Sequence, residues 1–194
     1  MKNFTKLLAV SVLTFGFANA SQYMLDNAHS NVGFSVKHLM ITNVNGKFKT
    51  YDANIDFDEQ TKVFNTFKAT VQTKSVDTGI EKRDEHLRSE DFFLSDKYPT
   101  MTFVMKSYKM DDDKDEGKMI GELTIRGITK VVTFDVEDIA TVKDLKGKER
   151  VGFSLEGKIN RLDYDLKWNK VLEFGGVTVG ENVKIAIDVA AIKS

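Results

Sequence analysis

The 194-residue chain has no cysteine, one proline, one tryptophan and three histidines. Without cysteine it can form no disulfide, thiolate metal site, covalently attached c-type haem or cysteine nucleophile, so packing and hydrogen bonding alone must hold the fold. A single proline, Pro99, leaves no room for a proline-rich linker. Charge of one sign is also lacking: 28 basic side chains face 29 acidic ones. A balance so close to neutral supplies no basic patch for nucleic acid and no one-signed helix for adsorption to a membrane surface. His29, His38 and His86 show no paired spacing of the His-x-x-x-His or His-x-His kind, so no metal site is expected from them. No G-x-S-x-G elbow, P-loop, dinucleotide fingerprint or His-Glu-x-x-His occurs, and the expectation is therefore a protein that is not an enzyme.

Long apolar runs are confined to the start. Lys2 and Lys6 precede an apolar stretch from Leu7 to Phe17, followed by the small-x-small sequence Ala18-Asn19-Ala20. This order is that of a secretory signal, residues 1–20, cleaved so that the mature chain begins at Ser21. The stretch is short of the roughly 20 apolar residues that span a bilayer. The expectation is an exported protein without stable membrane insertion.

The remaining residues, 21–194, read as one domain of β-strands. Phe67, Ala69 and Val71 alternate with Lys68, Thr70 and Gln72. Met101, Phe103 and Met105 alternate likewise, and Met119, Gly121, Leu123 and Ile125 share one face. Further period-2 sets are Val132, Phe134 and Val136; Val151, Phe153 and Leu155; and Val183, Ile185, Ile187 and Val189. Turn signals separate them: the acidic stretch Asp111 to Gly117, the pair Arg126-Gly127, and the charged loop Lys143 to Glu149. About eight antiparallel strands result, which suit a closed barrel or a two-sheet sandwich. An eight-stranded barrel can be packed solid or hold one small ligand, and its methionines and phenylalanines serve either purpose.

One segment breaks the alternation. Ile80 to Ser89 carries Glu, Lys, Arg and Leu with few β-branched residues, so a short helix is expected, within an insertion at roughly residues 80–96. Phe92 and Phe93 would anchor it, and Tyr98-Pro99 would launch the next strand. Arg83 and His86, one turn apart, share a polar face that could hold the polar end of a ligand or pin the helix through Asp84, Asp91 or Asp163. His29 is expected in an opening turn with its ring bonded to backbone, His38 at a barrel rim. Trp168 could close a cavity mouth or staple its loop.

These strings also carry a resemblance. Asp26, His29-Ser30, Phe34-Ser35-Val36-Lys37-His38, Gly46-Lys47-Phe48, the run Arg83 to Phe93 with Tyr98-Pro99-Thr100 and Phe103, Gly121 to Thr129, Ile159-Asn160-Arg161-Leu162-Asp163-Tyr164 and Val179 to Ile185 resemble the YceI-like family in order and spacing. The family's members are lipocalin-shaped proteins of bacterial envelopes that bind isoprenoid or related lipids. One departure falls at Asp165, where the family usually has glycine, so a differently built turn is expected there.

The resemblance implies an all-β, eight-stranded antiparallel lipocalin-like barrel with a short helical insertion. It implies binding, transport or storage of a long-chain apolar lipid, a polyisoprenoid or isoprenoid quinone, in the periplasm, with no cofactor beyond that lipid and with a homodimer as the assembly. The expected ligand-binding residues are Phe34, Val36, Phe67, Met101, Phe103, Met105, Met119, Leu123, Phe134, Phe153, Leu155 and Ile187 along the tunnel, with Trp168 beside it and His38, Arg83 and His86 at the polar end. A packed partner protein without a ligand, or an enzyme acting on a lipid or quinone, are the other readings.

Overall fold

The computed structural model describes residues 21–112, 115–173 and 175–194; the expected signal at residues 1–20 lies outside them. In chain order the strands are β1 (Ser21–Leu25), β2 (Asn31–His38), β3 (Thr42–Phe48), β4 (Tyr51–Asp58), β5 (Val63–Gln72), β6 (Val76–Asp77), β7 (Thr100–Met110), β8 (Gly117–Ile125), β9 (Ile128–Lys143), β10 (Glu149–Asn160) and β11 (Val179–Lys193), with one helix, α1 (Glu81–Arg88).

All pairings are antiparallel, in the order β1-β4-β5-β7-β8-β9-β10-β11-β2-β3-β6, and β1 also pairs with β11. The long β11 explains how eleven strands make an eight-stranded barrel. Its first part pairs with β2, from Val179↔His38 to Asp188↔Asn31, and its last residues pair with β1, Ala191↔Leu25 to Lys193↔Tyr23. Thus β1 and β2 are two lengths of one stave. Likewise β4 and β3 stand against β1 and β2, and β5 and β6 against β4 and β3. Eight staves close the sheet, and register shifts at Asp56/Phe57, Met105/Ser107 and Gly152/Ser154 supply the local bends that closure needs.

The alternation sets which side chains go inside. Along β8, Met119, Leu123 and Ile125 are buried while Lys118 and Ile120 are exposed. At the end where β4 meets β5 and β9 meets β10, the interior is solid: Phe64 stacks against Phe57 at 4.8 Å, Phe153 at 4.7 Å and Tyr108 at 5.0 Å. Each such ring contributes about 1.5–3 kcal/mol by its burial.

At the other end, the mouth, residues 39–41, 73–99, 126–127, 161–173 and 175–178 gather. The short helix expected over Ile80 to Ser89 is α1. Helix α1 stops at Arg88, where the Ser89 hydroxyl donates to the His86 carbonyl, and the chain continues in turns through Leu94 (φ 47°). Those turns draw Phe92 inward to 6% exposure, and the Thr73 amide donates to the Pro99 carbonyl as β7 begins. Asp165 stands where the resemblance led to an expected glycine. It adopts φ 61°, ψ 22°, the left-handed conformation for which glycine is the default.

Candidate functional site

Above the packed half the barrel is hollow, in two adjoining chambers. The inner one, about 110 Å³, is walled by Phe67, Phe103, Leu123, Phe134, Leu155 and Ile187 among others. The outer one, about 550 Å³, lies between β2 and β3, α1 with its following turn, residues 161–168 and the start of β11. Phe34, Phe48, Met101, Ile125 and Ile185 belong to both walls, so the waist between the chambers is apolar. The Phe48 ring sits 5.7 Å from those of Phe34 and Phe93.

Large rings fit beside a hollow because glycine lies under them. A Cβ at Gly46 would come within 2.4 Å of the Phe34 ring, and one at Gly121 within 2.4 Å of the Phe103 ring. Each phenylalanine lies back against bare backbone of a neighbouring strand, which leaves the axis open.

The mouth is polar on one side. His86 Nε2 lies 2.8 Å from Asp91 Oδ2, and its ring stands edge-on to Trp168 at 4.8 Å and Phe92 at 5.1 Å. Arg83 donates from Nε to Thr78 Oγ1 (2.7 Å) and from Nη2 to the Thr78 carbonyl (2.8 Å). The pin expected from Asp84, Asp91 or Asp163 is therefore Thr78, because buried Asp84 accepts instead from the Thr78 amide and hydroxyl. Arg161, 4% exposed, donates to the backbone carbonyls of Gly180 (2.9 Å), Val179 (3.1 Å) and Leu166, and burial pulls its pKa down. Arg126, in the β8–β9 turn, donates to the carbonyls of Phe92 (2.7 Å) and Asp165 (3.2 Å), joining the insertion to the 161–166 turn.

Of the residues expected from the sequence, Phe34, Phe67, Met101, Phe103, Leu123, Phe134, Leu155 and Ile187 line the inner chamber, and Val36, His38, Arg83, His86 and Trp168 the outer one. Met105, Met119 and Phe153 do not line either chamber. They share the inward faces but sit deeper, Met119 and Phe153 in the packed core and Met105 half-buried against it. A period of two reports the face of a residue and not its depth along the stave. His29 also differs: its Nδ1 is 2.9 Å from Asp26 Oδ2, a carboxylate rather than backbone, on the outside of the break between β1 and β2. Among the described residues no cluster of three potential metal ligands forms. Sequence reasoning placed Ile125 and Ile185 on inward faces but passed over Phe48, Phe93 and Arg161 as lining. The signal for Arg161 was an arginine set between Ile159 and Leu162 at a strand end, an apolar setting for a charge.

Comparison with known proteins agrees with this geometry. A family model described as the YceI-like domain matches residues 23–191. A UPF0312 protein of Staphylococcus epidermidis is 40% identical over 165 residues, 84% of this chain and 93% of that one. The crystal structure of the Campylobacter jejuni YCEI protein is 42% identical, covers 89% of this chain and 98% of its own, and superposes with a TM-score of 0.72. A domain from Saccharophagus degradans, described as polyisoprenoid-binding and implicated in plant cell wall breakdown, shares the fold at 13% identity and a TM-score of 0.63, covering 91% of this chain and all of that domain.

Proposed function

Because the chain belongs to the YceI-like domain family, we propose that it is a noncatalytic carrier: it binds one long apolar molecule, a polyisoprenoid or isoprenoid quinone, and transports or stores it in the bacterial periplasm once residues 1–20 are removed. The observation that carries this reading is the two-chambered cavity. Its inner chamber has mainly apolar walls and matches the tail of a lipid, while the outer chamber adds polar groups at one rim and matches a head group. The fold is also that of a domain described as polyisoprenoid-binding. His86, Phe92 and Trp168 pack on one another as a wall, a role in holding a ligand rather than in turning one over.

Native mass spectrometry of the protein purified from its own envelope, with organic extraction of anything bound, tests the proposal. A stoichiometric long-chain isoprenoid is the expected result. A bare, fully folded protein that also takes up no added prenyl compound would remove the carrier reading.

A further inference from the structure

Exposed apolar side chains gather at the mouth of this barrel. Among the described residues the large ones open to solvent are Met24, Ile120, Val131, Val142 and Leu145, spread over β1, β8, β9 and the β9–β10 hairpin, and Leu39, Met40, Ile41, Ile80 and Val171. The second set borders the outer chamber. Ile80 is part of its lining, Leu39 to Ile41 form the tip of the β2–β3 hairpin directly after the lining residues Lys37 and His38, and Val171 lies between the lining residues Trp168 and Thr178. Two of these segments pack side by side: the Leu39 amide donates to the Thr178 carbonyl at 2.9 Å, Val171 bridges to Val177, and a Cβ at Gly176 would stand 3.4 Å from Met40 Cγ. Ile41 is 77% exposed and Val171 83%, so neither serves the core. A contiguous apolar patch of this kind marks a surface that meets another apolar surface.

The backbone at the hairpin tip is strained as well. Leu39 and Met40 adopt φ 50° and 65°, the left-handed region that a long side chain enters only at a cost. Neither the backbone nor the solvent rewards that arrangement, and strain kept under such conditions points to a task for the side chains outside the folded chain.

What the patch meets follows from the cavity it surrounds, an outer chamber of about 550 Å³ with largely apolar walls. A long apolar molecule resides in a bilayer, and its passage through water is unfavourable. An opening ringed by apolar side chains gives it a dry path when the ring lies on the membrane. Lys37 and Lys82 are exposed at the same opening and Lys170 is exposed beside Val171. Lysine lays its stem along apolar groups while its ammonium reaches out to lipid phosphates. The same lysines disfavour a second copy as the occupant, because two identical faces would bring like charges together. Glu173, close to Val171, offsets part of the positive charge, so apolar burial is the main attraction.

We propose that the rim of the mouth is a membrane-docking surface: Leu39, Met40, Ile41, Ile80 and Val171 enter the interfacial layer of a lipid bilayer, and the outer chamber opens onto the membrane. The inference rests on the carrier reading and adds where the cargo is taken up and released. Docking is shallow and reversible, since it uses two loop tips and the start of a helix and no spanning segment.

The test compares the unaltered protein with a rim variant, Met40→Ser with Ile41→Ser and Val171→Ser, and a control variant, Ile120→Ser with Val131→Ser and Leu145→Ser. Each is sedimented with vesicles of equal parts phosphatidylcholine and phosphatidylglycerol. Uptake of geranylgeraniol is then followed by mass spectrometry, once from such vesicles and once from a dilute dispersion in buffer. The rim variant is expected to bind vesicles about tenfold more weakly and to draw the alcohol from them more slowly, with uptake from the dispersion unchanged. The control variant should match the unaltered protein in every measurement. Equal losses in both variants, or none in the rim variant, overturn the inference. An unaltered protein that takes up the alcohol from the dispersion without binding vesicles overturns docking and leaves the carrier standing, whereas uptake from neither source overturns both. A lipid-free dimer that the rim substitutions split assigns the face to a second copy and overturns the membrane. Should the rim variant not fold, Trp168 decides, being the only tryptophan and part of the chamber wall: fluorescence that brominated acyl chains fail to quench in the unaltered protein overturns the inference.

Discussion

Gly121 and Phe103 show how a single residue makes room inside a narrow barrel. With a Cβ at Gly121 only 2.4 Å from the Phe103 ring and 2.6 Å from the Val104 carbonyl, neither ring nor backbone has space to yield locally. The Gly121→Ala protein is expected to lose about 1–3 kcal/mol of stability through this overpacking. The displaced ring should also close the inner chamber, so that chemical denaturation shows a lower midpoint and a prenyl alcohol binds more weakly. An unchanged midpoint with unchanged binding would remove Phe103 from the wall. The phenylalanine was legible as an inward residue from its place in Met101-Thr102-Phe103. Its glycine partner was not, because the two meet across neighbouring strands and no local pattern pairs them.

The β2–β3 connection carries its own strain at the scale of an element. Leu39 and Met40 adopt φ values of 50° and 65°, and the Ile41 amide closes the turn on the His38 carbonyl at 3.2 Å. Two successive left-handed residues are what Asn-Gly supplies at low energy, whereas a residue with a branched or long side chain gives up about 1–2 kcal/mol there. Leu39 and Met40 are also exposed, at 38% and 58%. Replacing Leu39→Asn and Met40→Gly together is expected to raise the unfolding temperature, with the barrel's circular dichroism unchanged; a lower temperature would mean that these side chains hold more than the turn. The helical insertion illustrates what an element's composition can and cannot say. Glu, Lys, Arg and Leu announced α1, but not that Phe92 beyond its end packs 5.5 Å from Trp168, a contact with a segment far along the chain.

For the whole molecule, the mouth is hollow, while the far end is solid and closed by an ion-pair network. There Arg150 joins Asp26 and Asp144, and Lys193 joins Glu59 and Glu149. Arg150 holds the carboxyls of Asp26 and Asp144 below their ordinary range, and Lys193 does the same to Glu149. A carboxylate with a lowered folded-state pKa contributes stability above its unfolded pKa and loses it as pH falls through the folded value. The unfolding temperature should therefore be level near neutrality and fall below about pH 4. Asp144→Asn should flatten that acid limb, and an identical limb would separate this network from acid stability. On the alkaline side, burial pushes Tyr108 and Tyr164 up to about 12, so stability should decline again above about pH 10 as the unfolded chain ionises first.

By itself the sequence determined the all-β class, about eight antiparallel strands, the inward faces, the helical interruption and the absence of thiol chemistry. All of these follow from local periodicity, turn residues and composition, which act over a few neighbours. The tertiary structure decided how deep each inward residue lies, and so why Phe103 lines a chamber while Phe153 fills the floor. It also decided that Arg83 leans on Thr78, that Arg161 is buried with its guanidinium on backbone carbonyls, and that both face one cavity. Depth and charge compensation depend on distances between segments brought together by closing the barrel, and no spacing along the chain encodes them.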